Sequence, residues 1–286
     1  MDNTPIKILI TGKNSYVGKS FKKWVEQWPE QYEVEMISVR DDEWQGYDFS
    51  KFDSVLHVAG VAHIKETSRN QELYYTVNRD LAYKVAKKAK ADGVKQFIFL
   101  SSMSVYGIES GVINEYSIPN PKSNYGKSKL QAEKLLSRLE SDDFMLAIIR
   151  PPMIYGEECT GNYVRLKKLI LRIPIFPNIE NKRSVIYIRN FSEFIKILVN
   201  QKSKGLYLPQ NAEYMCTSTL VKLVADSHGK KIVMVRIFNP IIKLIMRGTV
   251  NKILGNLIYD KKVSECGQQY NIYDFEKSIF LSEARH

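Results

Sequence analysis

The sequence is poor in the residues that build disulfide frameworks and metal sites. It contains three cysteines and four histidines in 286 residues. Cys159, Cys216 and Cys266 are odd in number and far apart, and no two of them form a Cys-x-x-Cys pair. No two histidines have the spacing of metal ligands. We therefore expect neither a disulfide framework nor a metal site, and free thiols fit a reducing compartment.

Long apolar runs are also missing. No stretch approaches the roughly 18 apolar residues that a membrane-spanning helix needs. The first five residues are polar and lead directly into a strand pattern, which is not the pattern of a secretory signal. The sequence therefore predicts a soluble, cytoplasmic protein without a transmembrane segment.

The formal net charge is +11, which has two interpretations. It is typical either of a nucleic-acid or membrane-surface partner or of a basic surface around a site for a phosphorylated ligand. The lysines between residues 84 and 90 are spread along a helical pattern, without a basic block or interleaved aromatic residues. Because a nucleic-acid footprint is clustered on one face, we favour the second interpretation and expect no nucleic-acid partner.

Alternating strand and helix patterns run from residue 6 to residue 150. This alternation predicts an α/β fold with a Rossmann-type, doubly wound parallel sheet, as a dinucleotide-binding domain over residues 1–150. From Pro151 onward, prolines and glycines divide the chain into short elements. We expect a smaller, interleaved substrate-binding domain over residues 151–286, with the first domain rejoined by about residues 185–200.

A glycine-containing turn joins the first predicted strand, Ile6–Thr11, to the helix that follows it. Such a turn lets backbone amides and the helix N-terminus face a pyrophosphate. The predicted cofactor-binding residues of this turn are Gly12, Asn14, Ser15, Tyr16, Val17 and Gly18.

The end of the second predicted strand, Glu33–Val39, bears on the choice of cofactor. An acid there would bind the ribose 2′-hydroxyl of NAD, whereas an arginine pairs with the 2′-phosphate of NADP. The strand ends without an acid and Arg40 follows it, so we expect NADP. NAD stays open because Asp41 could take the place of the acid.

A strand over Phe97–Leu100 leads to Ser102, and Tyr125 and Lys129 follow four residues apart at the start of a helical segment predicted over 128–137. Residues with this spacing project from one helix face. A phenol has a pKa of about 10, and an ammonium beside it favours the phenolate. Such a tyrosine can exchange a proton with a substrate oxygen that a serine hydroxyl also binds. Four further Tyr-x-x-x-Lys pairs lack this context: Tyr47/Lys51, Tyr83/Lys87, Tyr163/Lys167 and Tyr273/Lys277.

Together with Ser-Val-Tyr-Gly at 104–107 and Arg-Pro-Pro-Met-Ile-Tyr-Gly at 150–156, these three residues resemble the extended short-chain dehydrogenase/reductase family. The resemblance extends from residue 6 to about 220. It implies hydride transfer between C4 of a nucleotide-linked hexose and the nicotinamide. In that reaction Tyr125 carries the proton, Lys129 holds the cofactor ribose and Ser102 orients O4.

The same resemblance implies further contacts and two departures from the family pattern. Ser15 replaces the middle glycine of the phosphate turn, and Asn190 stands where an aspartate is usual. The implied cofactor contacts are Asp48, Phe49, Ala59, Gly60, Asn78 and Pro152, besides Tyr125 and Lys129. The implied substrate contacts are Ser102, Met103, Ser104, Asn162 and Arg183.

The family contains several reactions, and Met103-Ser104 stands where a 4,6-dehydratase has an Asp-Glu pair. We therefore expect a 4-ketoreductase of a UDP-4-keto-6-deoxy(-N-acetyl)hexose in surface polysaccharide biosynthesis. The alternatives are an NAD-dependent UDP-sugar 4-epimerase and a non-catalytic relative that binds a dinucleotide as a redox sensor.

The resemblance also implies a homodimer, joined through the helices at about 68–92 and 126–140. His63 is a further candidate for the site lining. The basic amphipathic segment at 241–258 fits three roles: binding a membrane surface, capping the substrate pocket, or packing against its own domain, which we favour.

Overall fold

The computed structural model describes residues 4–62, 64, 66–237, 239 and 254–284. The chain divides into two compact units. Unit 1 comprises residues 1–107, 118–151 and 192–209, and unit 2 comprises residues 108–117, 152–191 and 210–286. His63 and residues 240–253 of the basic amphipathic segment lie outside the described residues.

The regular elements are as follows. The strands are β1 (Ile6–Thr11), β2 (Tyr32–Ile37), β3 (Ser54–His57), β4 (Gln96–Leu100), β5 (Gly111–Ile113), β6 (Met145–Ile149), β7 (Met153–Tyr155), β8 (Ile175–Pro177), β9 (Val185–Tyr187), β10 (Gly205–Tyr207), β11 (Val233–Val235) and β12 (Leu257–Tyr259). The helices are α1 (Tyr16–Val25), α2 (Gln71–Tyr75), α3 (Ala82–Ala91), α4 (Asn124–Leu136), α5 (Asn162–Ile170), α6 (Ile188–Asn200), α7 (Thr217–Ser227) and α8 (Phe275–Glu283).

Unit 1 is built on a six-stranded sheet with the order β10-β6-β4-β3-β1-β2. Every neighbouring pair of strands is parallel, which confirms the predicted doubly wound sheet. Strands β1, β3 and β4 are buried almost throughout, as expected of strands covered on both faces. The chain order reverses between β1 and β3, and the carboxyl ends at such a reversal are where ligands bind in sheets of this kind.

Two predicted boundaries differ from the structure for identifiable reasons. Helix α4 begins at Asn124 rather than at Ser128, because the Ser123 side chain accepts a hydrogen bond from the Gly126 amide and caps the helix. Strand β2 ends at Ile37 rather than Val39, since the Ile37 carbonyl accepts the amides of the turn after β1. The first difference places Tyr125 inside the first turn of α4.

The helical pattern predicted over 70–92 contains a π-helical turn. Helix α2 leads into residues Thr76–Leu81, which are wound as a π-helix, and α3 follows without a break. Wider turns of this kind are frequent at functional sites. Here the turn carries Asn78, whose side chain is fully buried.

Among its described residues, unit 2 contains short strand pairs and the helices α5, α7 and α8. The pairs β5–β12, β7–β9 and β8–β11 are all parallel. Helix α8 is fixed to the rest of unit 2 by the Ser278 hydroxyl, which lies 2.6 Å from the Tyr155 hydroxyl. Within the part of the chain that the structure describes, no helix is long and apolar enough to cross a membrane.

Candidate active site

The three predicted catalytic residues meet in unit 1. Ser102 follows β4 and caps a short 3-10 turn, with its hydroxyl accepting from the Ser104 amide at 3.1 Å. A side-chain hydrogen bond joins Ser102 to the Tyr125 phenol. Lys129 lies one turn further along α4 and is buried. Ser102 follows the end of β4, and Tyr125 and Lys129 lie on α4. This arrangement brings a hydroxyl, a phenol and an amine together.

The charge states of this group differ from the sequence-based expectation. Burial raises the pKa of Tyr125, an effect that the Ser102 hydrogen bond opposes. The Lys129 ammonium donates to the Leu100 carbonyl at 2.8 Å, and burial lowers its pKa to about 8 while the Glu133 carboxylate opposes the shift. In the protein alone, Tyr125 is therefore a protonated phenol rather than a phenolate favoured by Lys129.

The other Tyr-x-x-x-Lys pairs show that a direct contact between the two side chains is not enough. In the Tyr47/Lys51 pair, Lys51 Nζ donates to the phenol at 3.0 Å. Both side chains lie near the surface, and Lys51 also pairs with Glu35 at 3.4 Å. What distinguishes Lys129 is its burial and its position below a strand end that carries a serine.

A buried network beneath the site was not predicted. Glu133 accepts two hydrogen bonds from the Arg150 guanidinium, at 3.0 and 2.6 Å, and it also accepts one from the Ser101 hydroxyl. Arg150 donates in addition to the Tyr106 hydroxyl at 2.9 Å. The network joins the ends of β4 and β6 to α4, and so holds the backbone on which Ser102 and Lys129 are mounted.

A signal for this network was present in the sequence. Glu133 lies four residues after Lys129 and eight after Tyr125, a spacing that keeps all three side chains on one helix face. Its partner Arg150 stands at the end of the next strand. A buried glutamate on the helix face that carries Tyr125 and Lys129 needs a buried cation as its partner. No neighbouring residue in the sequence identifies that cation.

The phosphate turn after β1 has the shape required for a close approach. Gly12 has a φ of +127°, and a Cβ there would lie 2.9 Å from the Ala59 amide nitrogen. Ser15, which departs from the family pattern, is the N-cap of α1 and accepts from the Gly18 amide at 3.3 Å. Asn14 is exposed, whereas Val17 is buried. The lack of a side chain at Gly12 thus lets the turn pack directly against the backbone that follows β3.

A second position without a side chain lies beside Lys129. A Cβ on Gly60 would be 3.0 Å from Asn78 Oδ1 and 3.3 Å from Lys129 Nζ. Asn78 accepts from the Val61 amide at 2.8 Å and donates to Ser128 Oγ at 3.2 Å, so it braces the loop after β3 against α4. The lack of a side chain at Gly60 thus lets Asn78 and Lys129 lie close to the loop after β3, and both are hydrogen-bonding groups of the kind that bind a cofactor ribose.

Two cations lie near the end of β2. Arg40 follows this strand, and Lys13, which was not predicted, lies in the turn after β1. The Gly12 and Lys13 amides both donate to the Ile37 carbonyl at 3.0 Å, which places Lys13 next to the residues that follow β2. Arg40 and Lys13 are both exposed. Lys13 could have been found from the sequence because it lies inside the predicted glycine-containing turn. It was not included among the predicted cofactor-binding residues.

Two of the implied cofactor contacts, Asp48 and Phe49, have different surroundings. Asp48 is exposed, and hydrogen bonds from the Ser50 side chain and amide lower the pKa of its carboxyl. The Phe49 ring is fully buried in the core, and the Phe49 amide donates to Asp92 at 3.1 Å. The Phe49 ring therefore has a packing role in this structure.

The remaining predicted contacts belong to two places. Met103 and Ser104 lie in the 3-10 turn of unit 1 beside Ser102, whereas Pro152, Asn162 and Arg183 belong to unit 2. Asn162 begins α5, and its side chain lies outside the described residues. The Arg183 guanidinium donates to the Gly255 carbonyl at 3.2 Å, and burial lowers its pKa. The cofactor contact by Pro152 and the substrate contacts by the other four residues stay predictions.

A family model decides the affiliation of the chain. The model of the NAD dependent epimerase/dehydratase family matches residues 8–208. The chain belongs to this family. The identification confirms the resemblance seen in the sequence.

Two curated relatives in this family are 4-epimerases by name. The UDP-glucose 4-epimerase of Vibrio cholerae is 30% identical over 187 residues, which cover 62% of this chain and 57% of the relative. The N-acetyl-alpha-D-glucosaminyl-diphospho-ditrans,octacis-undecaprenol 4-epimerase of Escherichia coli O157:H7 is 32% identical over 201 residues. That match covers 68% of this chain and 60% of the relative, so the chain spans less than two thirds of either protein.

Solved structures share the fold of the whole chain. The UDP-glucuronic acid 4-epimerase of Bacillus cereus, in complex with NAD, has a TM-score of 0.75 at 18% identity, with 97% of each chain covered. A dTDP-4-dehydrorhamnose reductase of Clostridium acetobutylicum has a TM-score of 0.74 at 17% identity, covering 97% of this chain and 98% of its own. At these identities the likeness establishes the fold, which epimerases and reductases share.

Proposed function

We propose that the chain is an NAD(P)-dependent oxidoreductase that acts at C4 of a sugar carried on a nucleoside diphosphate. The observation that carries the proposal is the hydrogen-bonded Ser102–Tyr125 pair with Lys129 buried one helical turn away. Gly12 and Gly60 support it, because each lets the chain pack closely at a position where the resemblance implies the dinucleotide.

Each of the three side chains has a role in this chemistry. When bound, the nicotinamide supplies a hydride to C4 or accepts one from it. The Tyr125 hydroxyl exchanges a proton with the O4 atom, and the Ser102 hydroxyl hydrogen-bonds the same atom and orients it. Lys129, whose ammonium donates to the Leu100 carbonyl in this structure, would hold the cofactor ribose.

The raised pKa of Tyr125 supports a 4-ketoreductase. A protonated phenol is the form that donates a proton to a carbonyl oxygen during reduction, whereas oxidation of an alcohol requires the phenolate. A UDP-4-keto-6-deoxy(-N-acetyl)hexose is the proposed substrate, in a cytoplasmic step of surface polysaccharide biosynthesis catalysed by a homodimer. Arg40, which follows β2, and Lys13, which lies in the turn after β1, are both exposed and support NADP as the cofactor.

A 4-epimerase is the second candidate, and the two curated relatives favour it. An epimerase oxidises C4 and then reduces it on the other face, so it needs the same three side chains. The Escherichia coli relative is named for a sugar on diphospho-undecaprenol, which makes a polyprenyl diphosphate the alternative carrier.

Turnover tests the catalytic proposal. We expect the purified protein to oxidise NADPH when a UDP-4-keto-6-deoxy-N-acetylhexose is added, and the Tyr125→Phe variant to lose about 10²- to 10⁴-fold in kcat/KM. Tyr83→Phe is the matched control, because Tyr83 precedes Lys87 at the same spacing on α3 and should leave the rate unchanged. Equal activity of the Tyr125→Phe and wild-type proteins would exclude the catalytic role.

Cofactor content separates the two candidate reactions. A protein that is purified empty and binds NADPH more tightly than NADH, with the preference lost in Arg40→Ala and kept in Lys84→Ala, would support the ketoreductase. Stoichiometric NAD that survives gel filtration, together with interconversion of UDP-hexoses, would instead establish the epimerase.

A further inference from the structure

Unit 2 exposes aliphatic side chains on one face of the strand pair β8–β11. The strands pair with Ile175 beside Val233, and the two side chains are 47% and 58% exposed. In-register residues of neighbouring strands project from the same face of a sheet. The next residue of β8, Phe176, projects from the opposite face and is buried. The strand pair therefore has one face in the core and one bare aliphatic face.

Segments next to these strands along the chain also expose aliphatic side chains. The last turn of α5 leads into β8 and exposes Leu169 and Leu171, and Lys230 Nζ donates to the Ile170 carbonyl at 2.8 Å, which ties the start of β11 to that turn. Beyond β11, Ile237 is 76% exposed. We call this set the aliphatic surface; it comprises Leu169, Leu171, Ile175, Val233 and Ile237.

Basic side chains accompany the aliphatic surface. Residues 165–182 and 230–237, which contain it, include eight lysines and arginines and one acid. The acid, Glu180, lies 3.6 Å from Arg236, with both side chains largely exposed. Six basic residues of these segments are exposed: Arg165, Lys168, Arg172, Lys182, Lys231 and Arg236. The surface thus combines aliphatic groups with an excess of positive charge.

This combination fits an anionic lipid bilayer better than other partners. Aliphatic side chains can enter the boundary between headgroups and acyl chains while lysine and arginine contact anionic headgroups. Single-stranded nucleic acid is bound by stacking on aromatic rings, but Phe176, the aromatic residue of these segments, is buried. Contiguous exposed apolar groups with a polar rim are otherwise rare on a soluble protein surface.

We propose that unit 2 docks onto an anionic phospholipid bilayer through the aliphatic surface and its basic neighbours. This inference is independent of the catalytic proposal, because none of these residues has a role in proton or hydride transfer. Docking would also bring the chain to a sugar carried on a polyprenyl diphosphate, the alternative carrier named above.

Vesicle co-sedimentation of the full-length chain tests the docking. We expect the wild-type protein to bind vesicles that contain phosphatidylglycerol, at low salt, and to bind vesicles of phosphatidylcholine alone weakly. The double charge reversal R172E/K231E should weaken binding at least about tenfold, since each basic residue near the surface contributes about 1 kcal/mol. The double variant I175S/V233S should weaken binding about tenfold or more at high salt, where the charge contribution is screened.

Matched control variants test whether vesicle binding depends on this surface rather than on the charge or the exposed apolar groups of the chain in general. K84E/K87E makes the same change of charge on the exposed side of α3, and Y116S/I118S removes two other exposed apolar groups. Both should bind vesicles like the wild-type protein, and so should Tyr125→Phe. Far-ultraviolet circular dichroism establishes that each variant is folded, and the charge reversals alter exposed side chains alone.

Four outcomes would overturn the proposal. The first is an absence of wild-type binding to phosphatidylglycerol vesicles, and the second is equal binding by R172E/K231E and by K84E/K87E. The third is a wild-type dimer that I175S/V233S converts to a monomer without any vesicle binding, which would assign the aliphatic surface to a second copy of the chain. Binding of RNA in place of vesicles, lost in R172E/K231E, would count against it in the same way.

Discussion

Each unit buries a glutamate, and the two surroundings differ. Glu133 in unit 1 is paired with the guanidinium of Arg150, which is equally buried. Glu283 in unit 2 lies 2.6 Å from both Lys167 Nζ and His228 Nε2, and both of these side chains reach solvent. A buried charge needs a partner in either case, but only the Glu133 pair is withdrawn from water on both sides.

The positions of the two glutamates give them different consequences. Glu133 is on the helix that carries Tyr125 and Lys129, and its carboxylate raises the pKa of Lys129 against the effect of burial. Glu283 is at the end of α8, where the Tyr163 hydroxyl also donates to it at 2.7 Å. The same kind of residue thus lies beside the proposed catalytic residues in one unit and holds helix α8 in the other.

The largest expected effect separates these roles. Glu133→Gln leaves Arg150 buried without a counter-charge, so we expect the free energy of unfolding to fall by about 3–5 kcal/mol. Lys129 also loses the carboxylate that raises its pKa, so the alkaline limb of the kcat/KM profile should move to lower pH. Urea unfolding and pH–rate profiles measure the two effects. An unchanged profile would show that Glu133 supports the fold alone.

A smaller effect is expected in unit 2. Glu283→Gln keeps the shape of the side chain, and its partners Lys167 and His228 are partly solvated, so the loss should be about 1.5–3 kcal/mol. The pH–rate profile should keep its shape, because these groups belong to a different unit from the proposed catalytic residues. A shift of the profile equal to that of Glu133→Gln would remove the distinction between the two glutamates.

The smallest expected effect, counted over one pH unit, concerns the histidines of the two units. His57 in β3 is fully buried with its Nδ1 atom 2.8 Å from Thr11 Oγ1, and burial lowers its pKa to about 3. A base whose pKa is lower in the folded state stabilises the fold fully above its unfolded pKa, about 6.5, and less as the pH falls toward 3. The free energy of unfolding should therefore fall by about 1.4 kcal/mol per pH unit in that window from this group.

Replacement of His57 checks this contribution. His57→Asn retains a polar atom for Thr11 and should show a shallower loss of stability than the wild-type protein in urea unfolding between pH 7 and pH 5. His228→Gln serves as the control from unit 2. A wild-type slope in the His57→Asn variant would mean that the acid sensitivity arises elsewhere.

Local pattern was sufficient for the sheet and for the catalytic helix. The buried strands were recognisable because parallel strands covered on both faces are continuously apolar. Tyr125 and Lys129 were recognisable because a spacing of four places both on one helix face, next to a strand that ends in serine. The start of α4 was misplaced because the cap at Ser123 lies outside the periodic pattern.

No such local signal existed for the order of the strands, for the partner of Glu133 or for the close contacts at Gly60. Arg150 is seventeen residues from Glu133, and Gly60 meets Asn78 and Lys129 only after three separate segments have packed. The lowered pKa of Lys129 and the raised pKa of Tyr125 arise in the same way, from burial that depends on distant residues. Periodicity and spacing depend on neighbours along the chain and determined which side chains share an element; tertiary packing determined which of them meet and in what charge state.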